Sequence, residues 1–478
     1  MHGDRRKYPA VSKSYIQGEN HMEMKKRGLF RWEKDFTMQI LRLAVPVMVQ
    51  SMVMALMHIV DNLMVGRLGA TELAAVTQAN RITFLFQLAM FGASGGVSVF
   101  TAQFWGKKDL RGVRSVQGIG LIAGLIVAAI IGVPSIVAPQ AVLSLLLKND
   151  EAIRIGADYL RIMGCLYFVQ SITLIESTVL KSTEQAKLPM IAGIVAIVTN
   201  TVLNYLLIFD HGSFGGYGVV GAATATLIGG LLELAIILTV SYKRGYANAA
   251  KLHELKIESF AFVKRYFGVA LPIVLNEGLW ALGVVMYSVV YGRIGDGVNA
   301  VAAVSIFNNI EQLACIVQKG LMTAFAVMIG MAIGAGDKEE AKFRAKRFLL
   351  MAPIAAQAFA LLLIPFINPI IGFFNVDAAV ADSARRLTYI FLCFVWSHAY
   401  NSCVIVSVLR AGGDVTWAAV VDVGTVWLMG VPAVAIAGLV FKWDIELVYL
   451  MTYTEQAFKL IIGGLRVRSG KWVVDLVN

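Results

Sequence analysis

Twelve stretches of this chain each carry roughly 20 or more mostly apolar residues, the length of helix that crosses a bilayer. They run about 38–64, 74–105, 115–139, 155–180, 188–209, 216–241, 266–291, 299–333, 348–373, 387–409, 415–440 and 444–464. In hydrocarbon no water satisfies the peptide groups, so such a run must close its hydrogen bonds within itself, as a helix. Composition agrees. Of the 478 residues 58% are hydrophobic and 15% charged, and the mean hydropathy of +0.70 is more apolar surface than a soluble domain hides. The expected fold is therefore all-α and polytopic, with twelve transmembrane helices. The second and eighth spans are longer than a straight crossing needs, which predicts tilt or a bend.

Lys and Arg orient the spans. With the N-terminus inside, the inner segments hold 30 of the 42 basic residues and the outer loops 7. That imbalance predicts both termini in the cytoplasm. Residues 1–36 are polar and basic without an apolar core, so they are not a secretory signal; residues 1–20 read as a disordered lead-in. The net charge of +11 belongs to these inner segments, and no basic helix or aromatic-basic domain offers nucleic acid a surface. Cys165, Cys315, Cys393 and Cys403 lie in apolar segments without ligand spacing, which predicts neither a disulfide framework nor a zinc site.

The chain also repeats. "LAVP" at Leu43–Pro46 returns as "VALP" at Val269–Pro272, and "GRLG" at Gly66–Gly69 as "GRIG" at Gly292–Gly295, both offset by 226. Gly106 matches Gly334 and Asp109 matches Asp337 at offset 228. A six-span unit has been used twice. Six is even, so the halves are parallel repeats related by an axis along the membrane normal, a symmetry common in secondary transporters. The expected organisation is a cytoplasmic segment 1–36, an N-lobe 37–241, a linker 242–265, a C-lobe 266–466 and a cytoplasmic tail 467–478.

Ionisable groups within spans are expensive, roughly 2.5–3.5 kcal/mol on insertion scales, and mark function by default. The carboxylates inside spans include Asp61, Glu176, Glu233, Glu277, Glu311, Asp422 and Glu455. The repeat filters them, because residues that only build a bundle should recur in both halves. At offset 226 Asp61 faces Tyr287 and Glu277 faces Ser51; at offset 229 Asn200 and Asn204 face Met429 and Ala433. These four break the symmetry. Asn200 and Asn204 are i and i+4 and share one helix face, where two amides can hold a cation, bond a neighbouring carboxylate or serve as interhelical glue. Asp61 is either a titratable site or a local partner of Arg67. Glu277 and Glu311 are candidates for a cavity, with Lys319 an alternative partner for Glu311. Met54, Met57 and Met64 suit an adaptable apolar pocket. His58 reads as a packed or hydrogen-bonded residue.

No Walker-type phosphate loop, metal-binding helix or nucleophile elbow is present, so the chain is not expected to hydrolyse ATP or to be an enzyme, and no cofactor is implied. A lipid-linked saccharide flippase would need a more basic cavity than these spans provide. A polytopic membrane enzyme would need a catalytic His/Asp/Glu cluster at one membrane face, and a channel would pass uncoupled current.

Three motifs carry a family resemblance: "VDNLMVGRLGATELAAV" at Val60–Val76, "TNTVLNYLLIF" with "GVVGAATAT" within Thr199–Thr226, and "VLRAGGD" at Val408–Asp414. Over about residues 36–466 the chain resembles the multidrug and toxic compound extrusion (MATE) family. The resemblance implies an antiporter, monomeric in the plasma membrane, that exports amphipathic, often cationic small molecules in exchange for H⁺ or Na⁺. It implies an N-lobe cation site at Asp61 with Asn200, Asn204 and Thr226, where Na⁺ would be the only metal ion. Met57, Glu277, Trp280 and Glu311 are the residues expected at a substrate cavity, Glu277 and Trp280 by analogy with the family's seventh span. The chain departs from one branch, which has an aspartate at the place of Asn204 and a tyrosine at that of Met57. It departs from another, whose seventh-span glutamate falls where Trp280 stands, three residues after Glu277. That branch's tenth-span acid is missing too, with Ala399 near its place and His398 and Asn401 beside it.

Overall fold

The computed structural model describes residues 34–477 apart from 147, 211–214, 257–258, 296 and 375. The basic lead-in, residues 1–33, and the side chain of His58 lie outside the described set.

Twelve helical spans follow in order. They are α1 (Lys34–Gly66), α2 (Ala70–Gly106), α3 (Leu110–Val137), α4 (Asp150–Ser182), α5 (Lys187–Ile208), α6 (Gly218–Arg244) and α7 (Phe260–Tyr291). Then come α8 (Val298–Ala314 and Ile316–Gly334), α9 (Lys338–Leu363), α10 (Ala378–Arg410), α11 (Val415–Val440) and α12 (Ile445–Leu450 and Thr452–Ser469). Eleven described helices are long and apolar enough to cross a membrane. The last span is interrupted at Met451 and carries Glu455 and Lys459. Among the described residues there is no β-strand, only the isolated bridges Asp210–Gly215 and Gly413–Val473. The expected bend in the eighth span is a break at Cys315 between the two pieces of α8. The second span is one continuous helix of 37 residues.

The repeated polar signals have structural causes. Asp109 and Asp337 are the N-caps of α3 and α9, each accepting from the amide three residues on, Gly112 N at 3.0 Å and Glu340 N at 2.9 Å. Each satisfies an otherwise orphaned donor of the first turn. Asn149 and Ser259 cap α4 and α7 in the same way.

Packing divides the molecule into two bundles that are stitched together at the terminus-bearing end. The first core cluster holds most of α2–α4 with Val65 of α1, and also Phe262, Tyr266, Val269, Ala270 and Ile273 from the start of α7. The second holds the ends of α8–α10 nearer the termini, and also Phe36, Ile40, Leu43 and Ala44 from the start of α1. The C-terminal end of α7, from Tyr287 to Tyr291, belongs to a third cluster with α8 and α10. So α1 and α7 each begin in one lobe and finish in the other, and each has a proline, Pro46 or Pro272, within the helix where the change begins.

The close approaches between lobes are made by glycines. A Cβ on Gly92 would meet Val274, on Gly95 Ile273, and on Gly96 Tyr266 and Ala270, along α2 and α7. Gly320 lies against Ala44 and Met48 of α1, and Gly330 against Ala102. At the crossing of α2 and α8, the symmetry mates Gly106 and Gly334 lie on each other's backbone: their Cβ positions would stand 2.1 Å from Met331 O and 1.8 Å from Gln103 O. All these contacts fall in the halves of the helices nearer the termini.

The C-terminal tail adds to this seam. Trp472 is fully buried and packs on Gly412. Val474 N donates to Gly412 O at 2.8 Å, Gln103 Nε2 to Val474 O at 3.2 Å and Leu476 N to Gln103 Oε1 at 2.9 Å.

Candidate functional site

The polar face of α5 meets α1 and α6 inside the N-lobe. One turn of helix puts Asn200 and Asn204 in register, and both are buried. Asn204 Nδ2 donates to Asp61 Oδ1 at 2.7 Å and to Asn200 Oδ1 at 3.3 Å. Asn200 Nδ2 donates to Thr226 Oγ1 at 3.2 Å, and that hydroxyl donates to Ala222 O at 2.9 Å. The four residues from three helices therefore form one chain of hydrogen bonds ending on a carboxylate.

Two features set this chain apart from plain interhelical glue. Asp61 has no ion-pair partner among the described residues, Arg67 included. The Oδ1 of Asn204, 2% exposed as a residue, has no hydrogen-bond partner among the described residues. A buried acceptor without a donor costs about 1–3 kcal/mol, beside a carboxylate that is itself uncompensated. Carboxylate, amide and hydroxyl oxygens are hard donors, suited to a proton or a small hard cation such as Na⁺.

Met57, one turn before Asp61, accepts from Thr201 Oγ1 at its Sδ, 3.0 Å away, so it packs within the N-lobe against α5. The other residues expected at a cavity are not gathered with it. Glu277 is ion-paired with Arg410 of α10 at 2.7 Å. Trp280, on the same helix, is 41% exposed. Glu311 lies on α8 just before the break at Cys315, with Lys319 the cation facing it.

Of the remaining acids, Glu176 accepts from Gln117 Nε2 at 2.8 Å and from Asn248 Nδ2 at 2.9 Å, which ties the linker to the N-lobe. The linker is held again by Arg114, which pairs with Glu254. The backbone N–H of Lys251, and then the Arg114 charge, hold the Glu254 carboxyl below its ordinary value.

The residues that sequence reasoning left unconnected form a second buried network in the C-lobe. Lys459 of α12 pairs with Asp422 of α11 at 2.8 Å and with Glu455 at 3.3 Å. Tyr287 Oη donates to Glu455 Oε2 at 2.6 Å, and Asn276 Nδ2 to Asp422 Oδ2 at 3.1 Å. The turn Val426–Gly430 of α11 is wound as a π-helix, and Gly430 lies against Tyr287 and Glu455. A signal was available: Lys459 is a basic residue in a span, four residues after an acid on the same helix.

With this geometry in view, the comparisons with known proteins agree on one family. The family model described as MatE matches residues 46–206 and 272–436, one block in each half. The chain is 26% identical over 409 residues to a probable multidrug resistance protein NorM of Rhizobium meliloti, covering 82% of this chain and 84% of that protein. It is 21% identical over 470 residues to a protein of the same description from Thermotoga maritima, covering 97% and 96%. Its fold superposes on the outward-facing conformation of a multidrug resistance MATE family transporter with a TM-score of 0.80, at 21% identity, over 91% of this chain and 96% of that one. With both halves matched, the chain belongs to the MATE family and is a multi-pass membrane transporter.

Proposed function

We propose that the chain is a secondary antiporter of the plasma membrane that exports amphipathic, cationic drugs or metabolites in exchange for H⁺ or Na⁺, with Asp61 as the coupling site. Both termini lie in the cytoplasm on this reading, which the 30 to 7 division of basic residues supports. The glycine seam then lies on the cytoplasmic side.

The observation that carries the reading is the pairing of an uncompensated carboxylate at Asp61 with an unsatisfied buried oxygen at Asn204. In the structure the amide nitrogen of Asn204 is turned toward Asp61 and holds the site together. A half-turn of that amide presents its oxygen instead, and Asp61, Asn204 and Asn200 become a set of oxygens around one cation. A proton on Asp61 makes the carboxyl a donor and drives the same half-turn. Either ion thus repacks α1 against α5. Exchange follows if that repacking is compatible with one facing of the lobes and substrate binding with the other, since an ion moves the equilibrium only by its differential affinity for the two states.

The test is efflux from proteoliposomes with a proton gradient or a Na⁺ gradient imposed alone. One gradient should drive export in the native protein, and Asp61→Asn should abolish that drive. Export that survives the substitution with the same ion dependence refutes the assignment.

A further inference from the structure

The two lobes carry polar networks at symmetry-related places. Tyr287 is the counterpart of Asp61 at offset 226, and Glu455 is the counterpart of Thr226 at offset 229. The N-lobe site has its carboxylate on its first helix and a hydroxyl on its sixth. The C-lobe has the hydroxyl on its first helix and the carboxylate on its sixth, bonded to each other at 2.6 Å. A finer likeness accompanies the exchange. In each lobe a buried asparagine donates Nδ2 to a carboxylate, Asn204 to Asp61 and Asn276 to Asp422, and in each lobe that asparagine's Oδ1 has no partner among the described residues. Asn276 is 2% exposed.

What differs is the cation. Among the described residues no basic side chain pairs with Asp61. In the C-lobe the Lys459 ammonium, 4% exposed, stands between Asp422 and Glu455. The other titratable or charged groups facing it are Tyr287 and Glu277 of α7 and Arg410 and His398 of α10. Arg410 is already paired with Glu277, so the cation of this network is Lys459.

We propose that the C-lobe contains a second site for a small monovalent cation, built on Asp422, Glu455 and Asn276, whose occupant is the tethered ammonium of Lys459. The lobe therefore enters every stage of the cycle with its cation in place and exchanges none with solution, and the coupling ion binds in the N-lobe alone. The site stands on the C-lobe's own geometry. The statement about coupling also rests on the Asp61 reading, so the two are tested separately.

The experiment uses the purified full chain carrying Asp61→Asn, so that the N-lobe carboxylate is absent. Thermal unfolding is followed as Na⁺ or methylammonium replaces N-methylglucamine. With Lys459 present, neither cation should raise the midpoint. In Glu455→Gln/Lys459→Ala, which keeps the network's net charge of −1 by removing one acid with the base, both should raise it saturably, and adding Asp422→Asn should remove the effect. Lys459→Ala alone leaves two unpaired acids; methylammonium should restore its yield of folded protein. Absence of any cation-dependent rise in Glu455→Gln/Lys459→Ala overturns the proposal. So does a rise with Lys459 intact that Asp422→Asn abolishes, because the site would then take a free cation beside the lysine. A rise that survives Asp422→Asn lies outside the C-lobe, serves as the baseline for the comparison, and counts against the Asp61 reading alone.

Discussion

Gly334→Ala tests whether the seam between α2 and α8 sets the facing of the transporter. The new methyl carbon would lie 1.8 Å from Gln103 O, 2.5 Å from its carbonyl carbon and 2.7 Å from its Cα. These are backbone atoms of a continuous helix, so no side chain can swing aside. Ordinary contact begins near 3.4 Å, so the two helices must part by about 1.6 Å, taking Gly106 with them off the Met331 carbonyl. Overpacking of this kind costs about 1–3 kcal/mol. The penalty falls only on the state in which the lobes meet at this end. It therefore moves the balance between the two facings by about 5- to 150-fold towards the state open at the terminus-bearing side.

The symmetric loops supply the ruler. Arg67 and Arg293 are exposed and occupy equivalent places at the far end of the two lobes. Spin labels on Arg67→Cys and Arg293→Cys, with the four native cysteines replaced, report the separation of the lobes at that end. In the parent the long distance should dominate, and Gly334→Ala should transfer population to a shorter one. Gly268→Ala is the control, since a Cβ there meets nothing within 4 Å. A Gly334→Ala distribution that matches the parent and the control would show that the α2–α8 contact does not hold the closed end, and the reasoning fails. The double variant Gly106→Ala/Gly334→Ala should shift the balance by less than the sum of its parts, because both methyls wedge the same crossing.

Three other perturbations follow from contacts already described. Arg410→Leu strands the Glu277 carboxylate in the C-lobe and should destabilise by about 3–5 kcal/mol, whereas Arg410→Leu/Glu277→Leu should recover most of that loss; thermal unfolding of the single and double variants decides. Trp472→Ala empties a fully buried site and should loosen the tail, seen as faster proteolysis and hydrogen exchange at residues 470–477 and a lower unfolding midpoint. The linker clamp should be acid-labile. The Glu254 carboxyl is held low in the folded chain, so its contribution is complete above the ordinary glutamate value and is lost as pH falls through the lowered one. Hydrogen exchange across residues 248–256 should rise on acidification in the parent, and Glu254→Gln should show the raised level at neutral pH.

Repetition made the scaffold legible. Gly106 and Gly334 recur because one crossing uses a glycine from each half, and Asp109 and Asp337 because two helices need the same cap. Asn200 and Asn204 were visible as a pair because i and i+4 fix a common face without knowledge of any other helix. The C-lobe network was not, since its members stand on α7, α11 and α12 and only the fold brings them together. The partnership of Glu277 with Arg410 spans two lengths of chain that no periodicity connects. The tail was unreadable for a different reason. "WVVDLV" at residues 472–477 is too short to show a period, and its burial depends on the groove that Gln103 and Gly412 line.

The placement of Pro46 and Pro272 links the seam to the site. Each proline removes one backbone hydrogen bond from the interior of its helix and crowds the carbonyl four residues before it. In α1 the residues before the proline pack in the C-lobe core, while Met64 and Val65 pack in the N-lobe. In α7 the residues up to Ile273 pack in the N-lobe, and Tyr287 onward in the C-lobe. If the lobes rock as bodies, these two helices must bend between their two attachments, and the weakened turn is the place of least resistance. Asp61 lies on the far segment of α1 and Tyr287 on that of α7. On the proposed coupling role of Asp61, an ion that repacks it against Asn204 would act on the lever arm of a helix whose other end is fixed in the opposite lobe, and the same bend would strain or relieve the glycine seam. On α7 the corresponding arm is held by Tyr287 on Glu455, which is also paired with Lys459. On the proposed reading one arm is left free to answer an ion and the other is tied, so two halves with a common scaffold would do different work.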